Sequence, residues 1–119
     1  MNIRSARPDD QETWLEMWKG YQDYYEVDLS ETTENTWQRL MTPESDGLHC
    51  LVCQDDDGKL IGFTTYVFHA HTWRPEPRCY LIDLFTFPEC RGKGIGRALI
   101  EAVYEKADDH GCCQVYWLT

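Results

Sequence analysis

The stretch Arg91-Gly92-Lys93-Gly94-Ile95-Gly96-Arg97-Ala98 decides how this chain is read, because it interleaves three glycines with three cations where a strand hands over to a helix. The run before it, Tyr80-Leu81-Ile82-Asp83-Leu84-Phe85-Thr86-Phe87, is aromatic and branched, as a buried strand is, and Pro88-Glu89 ends it. After it, Ile95, Ala98, Leu99, Ala102, Val103 and Ala107 recur at spacings of three and four, which is one face of a helix. Glycines at 92, 94 and 96 let backbone N–H groups approach an anion with no Cβ in the way, and the helix dipole adds partial positive charge there. Arg91, Lys93 and Arg97 add full charges, so the junction is suited to a phosphate group.

Spacing narrows the phosphate ligand. A P-loop needs Gly-x-x-x-x-Gly-Lys-Ser/Thr, and no Ser or Thr follows Lys93 at the required place. A dinucleotide fingerprint needs a third glycine where Leu99 stands. Arg/Gln-x-x-Gly-x-Gly/Ala does fit, as Arg91-x-x-Gly94-x-Gly96, and with it the chain resembles the GNAT N-acetyltransferases. Trp14 to Val27, His71-Thr72-Trp73, Ile82-Asp83-Leu84-Phe85 and Val115-Tyr116-Trp117-Leu118-Thr119 are similar to the fungal histone, polyamine and D-amino-acid N-acetyltransferase group within that family. The resemblance runs from residue 3 to residue 119.

Composition sets the outer bounds. A chain of 119 residues builds one small domain, here taken as 1–119. A formal net charge of −10 argues against nucleic acid as a general partner, so the basic loop stands out from its background. No apolar run approaches the roughly 20 residues of a membrane span, and the N-terminus carries no signal-peptide pattern; a cytoplasmic protein without a membrane partner is expected. Cys50-Leu51-Val52-Cys53 is the only Cys-x-x-Cys among six cysteines, and in a strand its two thiols face opposite sides. No metal site is therefore expected, His69 and His71 sharing a strand face without cysteines nearby in sequence, and the thiols read as buried and reduced.

The chain lays out without linker or repeat. Asn2 to Ala6 reads as a strand; Asp9 and Glu12 make a capping box for a helix whose apolar face runs Trp14, Met17, Trp18, Tyr21, Tyr25. A second helix spans Thr33 to Met41 and Thr42-Pro43 closes it. Leu48 to Gln54 and Lys59 to His69 read as strands joined by an Asp55-Asp56-Asp57-Gly58 turn, Trp73 to Pro77 as a loop, and Gln114 to Thr119 as a last strand after the Gly111 stop. The resemblance implies an α+β fold, a mostly antiparallel central sheet flanked by helices in the order β-α-α-β-β-β-α-β. It also implies a further C-terminal helix and two strands, carrying an Asn for the cofactor and a Tyr acid, to which no residue here corresponds. The chain is expected to be a truncated domain, or to have the edge of its last strand covered by a second copy in a homodimer or larger homo-oligomer.

The same resemblance implies acetyl-CoA as acetyl donor and a primary amine as acceptor. Leu84, Phe85 and Thr86 would lie beside the thioester, and Arg91, Gly92, Lys93, Gly94, Ile95, Gly96 and Arg97 would hold the pyrophosphate. Presenting an alkyl amine of pKa about 10.4 unprotonated at pH 7 costs roughly 4.6 kcal/mol, so a group must accept that proton. Asp83 is the nearest acid on the strand and the candidate catalytic group; related polyamine enzymes often have Glu-Asp where this chain has Ile82-Asp83, and a structural carboxylate paired with a cation is the competing role. Tyr21 and Tyr25, on the apolar face, read as packing residues. Tyr24 and Glu26 lie off that face and Trp73 sits in the loop, which makes these three the acceptor-binding candidates. Asp23, Glu26 and Asp28 make this segment acidic, favouring a polyamine, a lysine-like or peptidyl amine, or another small cationic amine. A catalytically silent acyl-CoA-binding or assembly module, or a pure interaction domain, are the alternatives from other classes.

Overall fold

The computed structural model describes residues 1–118. Its five strands are β1 (Asn2–Ser5), β2 (Leu48–Gln54), β3 (Leu60–His69), β4 (Arg78–Thr86) and β5 (Gln114–Tyr116). The helices are α1 (Gln11–Tyr25), α2 (Thr33–Met41), the short α3 (Pro43–Asp46) and α4 (Ile95–Asp109), with 3-10 turns at Pro8–Asp10 and Pro88–Cys90. The sheet order is β1-β2-β3-β4-β5; the first four strands pair antiparallel and β5 pairs parallel to β4. This is the expected α+β architecture, a mixed sheet flanked by helices.

Alternation along the strands divides the core between the two faces. Cys50 and Val52 of β2 pack with Trp14, Met17, Trp18, Trp37, Leu40 and Phe63 under α1 and α2. Leu51 and Cys53 pack with Leu99, Val103 and Ala107 under α4. The two thiols of the Cys-x-x-Cys thus lie on opposite faces. All six cysteines are free; Cys90, Cys112 and Cys113 are only half-buried, where the sequence reading had all as buried. Among the described residues no group of three or more His, Cys, Asp or Glu side chains could hold a metal ion, and no helix is long and apolar enough to cross a membrane.

Several boundaries differ from the sequence reading. The Asp9–Glu12 capping box is absent: α1 starts at Gln11, and it is Asp10 that accepts the Arg7 N–H at 2.7 Å. Asp10 also takes both terminal nitrogens of Arg4, at 2.8 and 2.9 Å, so its carboxylate was recruited by β1 rather than by the helix. α2 spans Thr33–Met41 and is capped by Thr42 as read, but Pro43 then starts a further short helix, α3, since proline at a first helical turn lacks only an N–H that would be unpaired there. β3 stops at His69, which leaves His71 in the following loop, where its Nε2 meets the Glu76 carbonyl at 2.8 Å. β5 ends at Tyr116, short of the expected Thr119, which itself lies outside the described residues.

Helix α4 comes close to the sheet over Gly62. A Cβ there would lie 3.0 Å from the Phe85 carbonyl oxygen and 3.2 Å and 3.3 Å from Ile95 and Leu99 side-chain carbons. Gly62→Ala is expected to lose about 1–2 kcal/mol, overpacking outweighing the gain in strand propensity, and to lower the thermal midpoint by several degrees in a circular dichroism melt. Gly96→Ala, whose Cβ would meet only Leu84 at 3.9 Å, is expected to melt no lower than the wild type.

The Arg4–Asp10 pair gives the fold a pH dependence. Hydrogen bonding from Arg4, together with the Arg7 N–H, holds the Asp10 carboxyl below its ordinary range against the opposing effect of burial. A depressed folded-state pKa contributes stability that is present above the unfolded value of about 3.9 and is lost as pH falls through the folded value. Asp10→Asn should therefore cost about 2 kcal/mol at pH 7 in denaturant unfolding, and the gap to wild type should narrow as the pH is taken below the ordinary carboxylate value of about 3.9.

Candidate functional site

The strand β4 carries one extra residue relative to β3. Thr65 pairs with Asp83 and Tyr66 with Leu81, leaving Ile82 as the unpaired residue of a bulge. Before it, Cys79 and Leu81 face α4; after it, Phe85 faces α1 and Leu84 faces α4. The bulge therefore turns Asp83 onto the α1 face, with Thr65. The Thr65 hydroxyl donates a short hydrogen bond to the Asp83 carboxylate, and the Thr64 hydroxyl bonds the Asp83 carbonyl at 2.7 Å.

β4 and β5 then part. Their pairing runs only from Arg78–Gln114 to Tyr80–Tyr116, so among the described residues β4 from Leu81 to Thr86 has no partner on that side. At the end of this free edge lies a cleft of about 460 Å³. Its walls are Tyr21, Tyr24 and Tyr25 of α1, Leu84–Thr86 of β4, and the loop and helix start from Cys90 to Gly96, Lys93 excepted.

The loop geometry suits an anion. Gly92 and Gly94 adopt φ of 83° and 78°, the left-handed region that costs other L-residues roughly 1–2 kcal/mol, and nothing lies within 4 Å of where their Cβ atoms would be. Gly94 is the N-cap of α4 and brings no side chain to cap it. The first helical bond is Ala98 N–H to the Gly94 carbonyl at 3.0 Å, so the N–H groups of Ile95, Gly96 and Arg97 precede the helical ladder, with the positive end of the helix dipole behind them. Arg91 closes the cleft. Its Nε donates to the Thr86 carbonyl at 3.2 Å and its guanidinium lies 5.7 Å from the Tyr24 ring centre and 5.9 Å from that of Phe85.

The other named residues are placed less uniformly. Lys93 is exposed and does not line the cleft, and Arg97 is drawn away by Glu101 at 3.0 Å. Asp83 is half-buried and does not line the cleft. Tyr24 is 67 % exposed and stands at the cleft mouth. Glu26 follows it in a left-handed C-cap, φ 55°, outside the cleft. Trp73 is 82 % exposed and stacks against Arg78 at 5.1 Å, at the opposite end of β4. With Leu84 six residues on, at about 3.3 Å per residue, the fold does not bring Trp73 to the cleft.

Two tyrosines were read too simply from helical spacing. Tyr25 is 57 % exposed and lines the cleft. Tyr21 does pack, stacked on Trp18 at 5.2 Å, but it also lines the cleft. Burial first, then the neighbouring Asp83 carboxylate, push the Tyr21 phenol well above its ordinary value, which keeps it protonated. Cys90 also lines the cleft, and no motif pointed to it; its only signal was its place next to Arg91.

The arrangement matches known proteins along its whole length. The family described as the acetyltransferase (GNAT) family matches residues 13–119. The D-amino-acid N-acetyltransferase HPA3 of Saccharomyces cerevisiae is 35 % identical over 118 residues, 98 % of this chain and 73 % of that protein. A thialysine N-epsilon-acetyltransferase of Bos taurus is 31 % identical over 95 % of this chain and 71 % of its own. Among solved structures, a probable acetyltransferase superposes with TM-score 0.88 at 14 % identity, over 100 % of this chain and 79 % of that one. The BH1408 protein of Bacillus halodurans, as a tetramutant, superposes with TM-score 0.83 at 19 % identity, over 100 % and 83 %. With a left-handed glycine loop, an uncapped helix start and a parted strand edge behind these matches, the chain belongs to the GNAT family of N-acetyltransferases.

Proposed function

We propose that this chain transfers an acetyl group from acetyl-CoA to a primary amine by direct attack of the amine on the thioester. The observation that carries the reading is that the uncapped start of α4, the left-handed glycines and Arg91 open on the same cleft as the free edge of β4. The loop and the first N–H groups of α4 would hold the pyrophosphate, with Arg91 as the charged partner. Backbone N–H groups along Leu84–Thr86 would polarise the thioester carbonyl, as fixed donors do for a developing oxyanion. Acetyl-CoA supplies the activated acyl group; the protein supplies orientation, carbonyl polarisation and a sink for the amine proton, for which Asp83 is the nearest acid.

The acceptor is read as a cationic amine. The relatives are named for D-amino-acid and thialysine substrates, both amine-bearing. Tyr24 and Tyr25 line the cleft and offer ring faces to a cation, and Asp23, Glu26 and Asp28 make the end of α1 acidic, Asp23 and Asp28 on the wall of a second cavity.

The test is to incubate the 119-residue chain with acetyl-CoA and a panel of polyamines, lysine peptides and D- and L-amino acids, and to detect acetylated product by mass spectrometry. Product from at least one amine is expected; acetyl-CoA binding without product from any would instead fit a silent acyl-CoA-binding module. In calorimetric titration with acetyl-CoA, Gly94→Asp should abolish binding while keeping the wild-type circular dichroism spectrum. Arg91→Ala should weaken binding by about tenfold, the worth of one or two charge-assisted hydrogen bonds, and Arg97→Ala should change it little. Equal losses at positions 91 and 97 would sink the placement of the phosphate.

A further inference from the structure

Arg91 is held on three sides while its hydrogen-bonding edge stays open. Its Nε donates to the Thr86 carbonyl at 3.2 Å, which ties the guanidinium to the end of β4, and its two terminal nitrogens have no protein partner among the described residues. The ring centres of Tyr24 and Phe85 lie 5.7 Å and 5.9 Å from the group. These two rings differ in what fixes them. Phe85 is buried, and α1 packs so closely on it that a Cβ on Gly20 would lie 2.7 Å from its ring, so the core sets its place. Tyr24 stands one turn beyond Gly20 on the same side of α1, is 67 % exposed, and meets only Arg91 and the edge of Tyr25, at 5.1 Å, among the ring contacts of the described residues. An exposed ring that adds little to the core and lies against a cation acts on that cation. Its hydroxyl makes no hydrogen bond among the described residues, so the contact belongs to the ring.

We propose that Tyr24 is a positioning residue of the anion site: its ring, reaching from α1, holds the Arg91 guanidinium with the terminal nitrogens open to a phosphate. The inference rests on reading the cleft as the acetyl-CoA site. A long cationic side chain must be ordered when it binds an anion, and a ring already set against it removes part of that cost beforehand. A carboxylate would hold the guanidinium more firmly, as Glu101 holds Arg97 at 3.0 Å, but it would compete with the phosphate for the same N–H groups. A ring face orients the cation and leaves those groups open. Of the two rings that this cleft offers to a cation, Tyr24 thus already has one, supplied by the protein itself. Tyr25 has no such cation against it among the described residues and remains the ring for the acceptor amine. The end of α1 then serves both substrates, Tyr24 acting on the acetyl donor through Arg91 and Tyr25 on the amine.

The experiment titrates acetyl-CoA calorimetrically into the wild type, Tyr24→Leu, Tyr24→Phe, Arg91→Ala and the Tyr24→Leu/Arg91→Ala double variant, with circular dichroism melts to verify that each keeps its fold. Tyr24→Leu is expected to weaken binding about fivefold, on the order of the ordering cost of one long side chain, and Tyr24→Phe, which keeps the ring, by less than about twofold. Once Arg91 is replaced, Tyr24→Leu should cost nothing further, because the ring acts through the guanidinium. With whichever amine of the panel the wild type acetylates, Tyr24→Leu should raise KM for acetyl-CoA by the same factor and leave kcat and KM for the amine unchanged. Additive losses in the double variant, a loss in Tyr24→Phe equal to that in Tyr24→Leu, or unchanged acetyl-CoA affinity in Tyr24→Leu would overturn the positioning role while leaving the cofactor site intact. A raised KM for the amine alone would return Tyr24 to the acceptor. Failure of the wild type to bind acetyl-CoA would overturn the reading of the cleft and the proposal with it.

Discussion

The pairing of β3 with β4, and the single residue by which β4 exceeds it, governs the geometry of this molecule. Up to Leu81 the odd-numbered residues of β4 face α4; the extra residue Ile82 shifts the alternation, so that Asp83 and Phe85 face α1. In regular alternation Asp83 would enter the apolar layer of Leu99 and Val103, where an unpartnered carboxylate costs several kcal/mol. The bulge instead delivers it to Thr65. A bulge also increases local twist, and β4 parts from β5 just before it, after Tyr80. Parting strands leave backbone donors exposed, and exposed donors are what a carbonyl or phosphate ligand needs.

Packing then fixes what stands around that opening. The α1–α2 face is filled by large rings: Trp14 lies 5.2 Å from Trp18 and 4.9 Å from Trp37, and Phe63 joins them from β3. The α4 face is filled mainly by aliphatic side chains, with Tyr66 and Phe68 towards its far end, and Gly62 lets the first turn of α4 rest close to the last residues of β4. The tight contact on one face places the helix start at the cleft floor. The broad aromatic layer on the other sets α1 far enough out to leave a cavity, with Tyr21, Tyr24 and Tyr25 as its wall.

Electrostatics makes the cleft selective by contrast. The chain carries a net charge of −10, yet the charged side chain lining this cavity is Arg91, and the helix start adds to its positive potential. Tyr21 on the cleft wall stays neutral, because burial raises its phenol. The cleft thus offers local positive potential to an anion in a protein that repels anions globally, while Asp23 and Asp28 at the end of α1 line a separate cavity.

Local sequence determined the elements and the anion loop. Leu48–Gln54 and Thr33–Met41 are legible because hydrophobic period and turn residues agree there, and Gly92 and Gly94 are legible because a left-handed backbone is a property of the residue itself. The assignment of α1's tyrosines was not, because periodicity tells which residues share a face and not where that face runs out of protein to cover it; Tyr25 lies beyond that edge. Trp73 and Glu26 fitted a cation site by composition, but β4 carries Trp73 to its far end and the left-handed turn at Glu26 lies outside the cleft. The bulge at Ile82 had no sequence signal, since an extra residue exists only relative to the partner strand. Residue chemistry was thus set by the sequence alone; which face Asp83 points to, and that Tyr21 lines the cleft as well as the core, were decided by strand register and helix packing, which are relations between distant segments.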